Sequence, residues 1–244
     1  MILVLLLLIL NLTFIDSLFN PTIKLNSGKK AKIIGKGPPL FFSPGLFGTM
    51  PSFFYSNLIN NLKKNLTIVV IDDYKPINFK DLNDITDKLS VDNIAYLSHS
   101  SFFPETLESN VINSAFLLDP ICLPNINFNG INNPSVSLNY PVHIIRSEKL
   151  YDTDVPLPEW QELDIYTSNI IDETYNDVGH PDILDDTWAD IAKSLDLWGT
   201  AENRIVSFKE WKFVNTKNDI KNIRKEYRNY VCEKINLLIN NILL

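Results

Sequence analysis

The sequence predicts an α/β fold: a mostly parallel sheet with helices on both faces. Two observations carry that expectation. Short, continuous apolar runs such as Thr67–Ile71 and Ala115–Leu118 read as strands buried on both sides. Between several of them lie stretches with apolar residues at helical spacing, so strand and helix alternate along the chain. The length of 244 residues and an apolar content of 45% suit one domain with a sizeable core.

The elements follow in order. Ala31–Gly35 ends an early strand, Gly37-Pro38-Pro39 breaks the chain, and Leu40-Phe41-Phe42 is a short buried strand running into Ser43-Pro44-Gly45-Leu46-Phe47-Gly48. Ser52–Lys64 reads as a helix through Phe53, Phe54, Leu58, Ile59 and Leu62. After the Thr67–Ile71 strand, Lys80–Leu89 is an amphipathic helix with Leu82, Ile85 and Leu89 on one side. Strands are expected at Ile94–Leu97, Ala115–Leu118, Val142–Ile145 and Ile170–Tyr175, and a closing amphipathic helix over Asn218–Leu244. Cys122–Tyr140 and Tyr151–Ser168 look irregular, as segments that roof a site would.

Composition narrows the function classes. A net charge of −7 and a pI near 5.0 argue against a nucleic-acid surface. The two cysteines, Cys122 and Cys232, lack the spacing of a structural zinc site, and no phosphate-binding glycine loop occurs. A disulfide between them stays open. Ile2–Leu10 is wholly apolar but falls short of the roughly 20 residues of a membrane span. Residues 1–17 therefore read as a signal peptide or N-terminal anchor and 18–244 as the single domain. This implies a secreted or membrane-associated protein, with a cytoplasmic one as the alternative.

Candidate chemistry sits at strand ends, where parallel sheets place their sites. Ser98-His99-Ser100-Ser101-Phe102 follows the Ile94–Leu97 strand, with Pro104 and Glu105 as helix-start signals. This is the layout of a nucleophile elbow, G-x-S-x-G, with Ser98 and Phe102 where the glycines would stand. Asp119 closes a second strand and His180 follows the last, so serine, acid and histidine arrive in that chain order on one rim.

Three pieces carry a resemblance. Asp177-Val178-Gly179-His180-Pro181-Asp182-Ile183-Leu184-Asp185-Asp186 is similar to the Gly-His-Met-Asp-Met-Leu-Asp-Asp run around the catalytic histidine of chlorophyllases. Leu40–Tyr74 resembles their strand, small-residue loop, aromatic helix and acidic strand end. Leu117-Leu118-Asp119-Pro120 resembles the Asp-Pro that bears their acid. Over Leu40–Asp186 the chain thus resembles the chlorophyllase branch of the α/β-hydrolases, which is related to cutinase-like and acetylhydrolase-like esterases.

The resemblance implies an α/β-hydrolase fold and cleavage of a carboxylic ester by Ser100 as nucleophile, His180 as base and Asp119 as its partner. Oxyanion donors would be the N–H groups of Ser101 and Leu46. Asp152 and Asp154 are alternative acids, since many such enzymes place the acid after the strand that here is Val142–Ile145; the family register there falls on Leu150. No metal or organic cofactor is implied, and the expected partner is a small or lipophilic ester, with membrane association through the N-terminal segment. The alternatives are a lipase or thioesterase, and a non-catalytic binding protein on the same scaffold.

Plainer roles are expected for several residues. His99 reads as structural and His143 as strand packing. Asp182, Asp185 and Asp186 read as a solvated acidic turn or helix cap, and Phe47 and Phe102 as pocket-wall candidates.

Overall fold

The computed structural model describes residues 21–45, 48, 50–71, 79–101, 104–121, 125–127, 130–132, 135–148, 164–195 and 217–242. The N-terminal apolar run lies outside them, as do Leu46, Phe47, Phe102, Cys122, Asp152 and Asp154. Among the described residues no helix is long and apolar enough to cross a membrane.

The chain runs β1 (Thr22–Lys24), β2 (Lys30–Gly35), β3 (Pro39–Ser43), a 3-10 turn (Ser52–Tyr55), α1 (Ser56–Leu62), β4 (Thr67–Ile71), α2 (Phe79–Leu89) and β5 (Ile94–Ser101). It continues through β6 (Ile112–Ile121), β7 (Asn125–Asn127), β8 (Gly130–Asn132), β9 (Ser135–Ser137), β10 (Val142–Ser147), β11 (Asp164–Tyr166) and β12 (Ile170–Tyr175). A 3-10 turn (His180–Ile183), α3 (Asp186–Leu195) and α4 (Lys217–Ile242) complete it. Eight strands form one sheet in the order β1-β2-β4-β3-β5-β6-β10-β12. The first two pairings are antiparallel, and from β4 to β12 the strands are parallel.

Strand alternation divides the core into two layers. Leu40, Phe42, Ile68, Val70 and Leu97 face α1 and α4, packing with Leu58, Leu62, Tyr227 and Val231. Phe41, Val69, Ile71 and Tyr96 face the other way, packing with Leu82 and Ile85 of α2. The continuous apolar runs are thus explained: each central strand is buried on both faces. The segment expected to be irregular includes two-stranded ribbons, β7–β8 and β9–β11. Val136, Leu138 and Tyr140 pack into the α2-side core, so residues 135–140 cover the sheet rather than roof a site.

One expected element is missing. Pro104 and Glu105 begin a 3-10 turn, Pro104–Thr106, and no helix follows. The reason is length: β6 already starts at Ile112, leaving residues 102–111 for the link. A parallel crossover normally needs about a dozen residues or more.

The 26-residue α4 also clamps the turn that carries His180. The side chain of Asp182 accepts from the Gly179 N–H at 2.8 Å and from Arg224 Nε at 2.8 Å. Arg224 and Asp182 are both buried. Arg224 Nη1 reaches Asp190 at 2.8 Å, and Arg228 binds Leu184 O and Asp186. Asp185 Oδ1 accepts from the Asn57 N–H at 2.7 Å. The acidic turn is therefore not solvated: Asp182 is a cap, as anticipated, and Asp182 and Asp186 are held by arginines of α4. Removing one partner of a buried pair strands the other charge and costs about 3–5 kcal/mol. Arg224→Met is expected to lower unfolding free energy by about that much in urea, and Arg224→Met with Asp182→Asn by less; a single-variant loss under about 1 kcal/mol would refute the clamp.

Candidate active site

The site is built where β3, β5, β6 and β10 end. Ser100 and Asp119 stand in adjacent strands, and both have left-handed backbone, with φ of 62° and 45°. Side chains other than glycine rarely adopt this region. The pairing is irregular at the same point: His99 faces Leu118, yet Ser101 faces Ile121. A bulge, with Asp119 and Pro120 of β6 set against Ser100 of β5, thus interrupts the pleat where both side chains emerge.

Those side chains meet His180. Ser100 Oγ lies 3.0 Å from His180 Nε2, and His180 Nδ1 lies 3.2 Å from Asp119 Oδ2. A carboxylate only accepts, so Nδ1 carries the proton and the Nε2 lone pair faces the hydroxyl. Asp119 is fixed in turn by Ser147, whose N–H donates to Oδ1 at 2.6 Å and whose Oγ donates to Oδ2 at 2.8 Å. All four residues are buried. The structure therefore brings together Ser100, His180 and Asp119. Ser101 is the last residue of β5. The other candidate donor, Leu46, and the alternative acids Asp152 and Asp154 lie outside the described residues.

The two departures from the glycine pattern differ in consequence. Ser98 is wholly buried, and its Oγ has no hydrogen-bond partner among the described residues, so its hydroxyl is an uncompensated burden. At position 102 the steric demand for glycine comes from a helix packed behind the nucleophile, and no such helix forms.

Gly45 presses against the elbow. A Cβ there would meet the Tyr55 hydroxyl at 3.1 Å and Ser100 Cβ at 3.6 Å. Its N–H instead donates to Tyr55 Oη at 3.0 Å. Tyr55 Oη lies 2.8 Å from His99 Nδ1, and His99 Nε2 lies 3.2 Å from His180 O.

His99, Asp119 and His180 also lie close enough to suggest a cation, with ligand atoms within 4.8 Å of one another. Their bonding opposes that. Both His99 ring nitrogens are engaged, with Tyr55 and with His180 O. His180 Nδ1 is turned to Asp119, so the lone pairs a metal would need are occupied.

His143 is buried and held by Glu173, Nε2 to Oε1 at 2.6 Å, so it belongs to the sheet rather than the site. Cys232 is a buried free thiol, its pKa pushed up to about 12 by burial. Among the described residues it has no disulfide partner; Cys122 lies outside them.

Sequence reasoning missed Ser147, Tyr55 and the arginines of α4. Ser147 could have been found, since it is the terminal residue of a strand on the same rim. The arginines had no local signal, because their partners lie about forty positions away.

No family model and no curated protein matches the chain. Solved structures do. An epoxide hydrolase without ligand is similar with a TM-score of 0.50 at 13% identity, over 72% of this chain and 96% of that one. An epoxide hydrolase from Vigna radiata gives 0.47 at 10%, over 78% and 97%. An α/β-hydrolase-fold protein from Burkholderia ambifaria gives 0.45 at 14%, over 72% and 99%. The chain has the α/β-hydrolase fold, with its largely parallel eight-stranded sheet. At these identities the likeness speaks for architecture alone.

Burial holds the pKa of His99 well below its usual value, helped by the neighbouring His180, against the opposing backbone bond. The unfolded chain binds a proton near pH 6.5 that the folded chain refuses. The stability is therefore full above that pH and falls as the pH drops below it. Unfolding free energy should decline below pH 6.5 by up to about 1.4 kcal/mol per pH unit from this one group. In His99→Gln that slope should flatten; an unchanged pH profile in urea would show that His99 is not buried neutral.

Proposed function

We propose that the protein is a serine hydrolase that cleaves a carboxylic ester. The observation that carries this reading is the 3.0 Å approach of Ser100 Oγ to His180 Nε2, backed by the Asp119 contact at 3.2 Å. A serine hydroxyl is a weak nucleophile until a base takes its proton. Ser100 Oγ attacks the ester carbonyl carbon as its proton passes to His180 Nε2. Asp119 keeps Nδ1 protonated and stabilises the imidazolium. The oxyanion is met by backbone N–H groups, for which Ser101 and Leu46 are the candidates. When the ester C–O bond breaks, His180 returns the proton to the departing alcohol and leaves an acyl-serine. Water then repeats the sequence and frees the acid.

The resemblance around His180 favours an esterase of the chlorophyllase-like branch acting on a small or lipophilic ester. The apolar N-terminal residues favour an exported or membrane-associated protein. Neither a metal nor an organic cofactor has a part in these steps.

One observation favours a second reading, a binding protein without catalysis. The chain after Ser100 forms a single 3-10 turn, so no helix N-terminus adds its partial positive charge beside an oxyanion.

A fluorophosphonate probe separates the two. The folded protein should label, Ser100→Ala should abolish labelling, and Asp119→Asn should slow it by orders of magnitude, on the order of 10⁴ in comparable triads. Well-folded protein that stays unlabelled would favour the binding reading instead.

A further inference from the structure

We propose that His99 is a positioning residue for His180, tying it through Tyr55 to the backbone at Gly45. The proposal rests on reading His180 as the catalytic base.

The chain of bonds has one consistent direction. His180 O is a carbonyl and can only accept, so His99 Nε2 carries the hydrogen of their 3.2 Å bond. His99 Nδ1 is then an acceptor, and the single Tyr55 hydroxyl hydrogen goes to it at 2.8 Å rather than to the weaker acceptor Met50 Sδ at 3.3 Å. Tyr55 Oη in turn accepts from the Gly45 N–H at 3.0 Å. Donors and acceptors therefore match across three segments that are distant in sequence. Tyr55 and His99 are buried, where a mismatched partner would be costly.

The relay acts on the base in two ways. It anchors the His180 carbonyl, while Asp182 anchors the preceding N–H, at Gly179. That leaves the side-chain torsions as the main freedom of the imidazole. The His99 ring then restricts them, lying 4.5 Å from the His180 ring with 25° between their planes. Asp119 and Ser100 hold the two ring nitrogens. A displacement of even about 1 Å at such a group is costly in rate. The other end of the relay fixes Gly45, the residue before the candidate oxyanion donor. One buried histidine thus links the backbone carrying the base to the loop expected to meet the oxyanion. A neutral ring suits the place, because a cation stacked there would oppose the imidazolium formed during turnover.

The test uses the full-length protein with His99→Phe, which keeps a flat ring but loses both bonds, and His99→Gln. The Gln amide can still donate to the His180 carbonyl. Two readouts are followed: the low-field NMR signal of the proton between His180 Nδ1 and Asp119, and the rate of fluorophosphonate labelling. His99→Phe should lose or broaden the signal and label about tenfold more slowly or worse, and His99→Gln should recover to within about threefold of the parent. An unchanged signal with a rate within about twofold of the parent would overturn the proposal. So would absence of the low-field proton from the unaltered protein. If the unaltered protein shows the proton but never labels, the esterase reading fails, and loss of the proton in His99→Phe still upholds the positioning. Should His99→Phe not fold, Tyr55→Phe decides, with weakening of the same signal expected and an unchanged signal counting against the relay.

Discussion

Two neighbouring residues with left-handed backbone, Ser100 and Asp119, are the constraint on which the site depends. Each conformation costs on the order of 1–2 kcal/mol for a side chain of this kind. They sit in two adjacent interior strands of an eight-stranded sheet, β5 and β6, and the surrounding β3–β5–β6–β10 pairings hold them there. In a flat strand both side chains would alternate back into the pleat. At the β6 bulge both side chains instead meet the imidazole of His180. Strain placed in this way is stored at a site and maintained by the packed core beneath it.

The imidazole is held from several directions. Ser147 orients Asp119 from β10, His99 stacks on the ring from β5, and Asp182 shapes the turn. Arg224 reaches in from the far end of the sequence to lock Asp182. The terminal helix is therefore both a cover for one layer of the core and a brace for the turn that carries His180.

Much of this was legible from residues alone, and the limits have physical causes. Strands such as Thr67–Ile71 and Val142–Ser147 were readable because buried parallel strands are short apolar or β-branched runs. α2 was readable because Leu82 and Ile85 repeat at helical spacing above a core. The helix after Ser100 was misread because Pro104 and Glu105 are local start signals, whereas the available length is set by where β6 begins. Placing Ser100, Asp119 and His180 on one rim followed from the order of strand ends. Their approach to about 3 Å did not, since it needs the bulge register. The buried arginines were invisible because side-chain pairing between a loop and a distant helix leaves no periodic trace.

The central claim, that Ser100 is an acylable nucleophile activated by His180, is most directly tested by intact-protein mass spectrometry during reaction with an activated acetate ester. The account predicts one acetyl group on the peptide bearing Ser100, appearing and then clearing as water attacks, with neither step in His180→Ala. A folded protein that takes up no acyl group, or takes it up equally without His180, would contradict it.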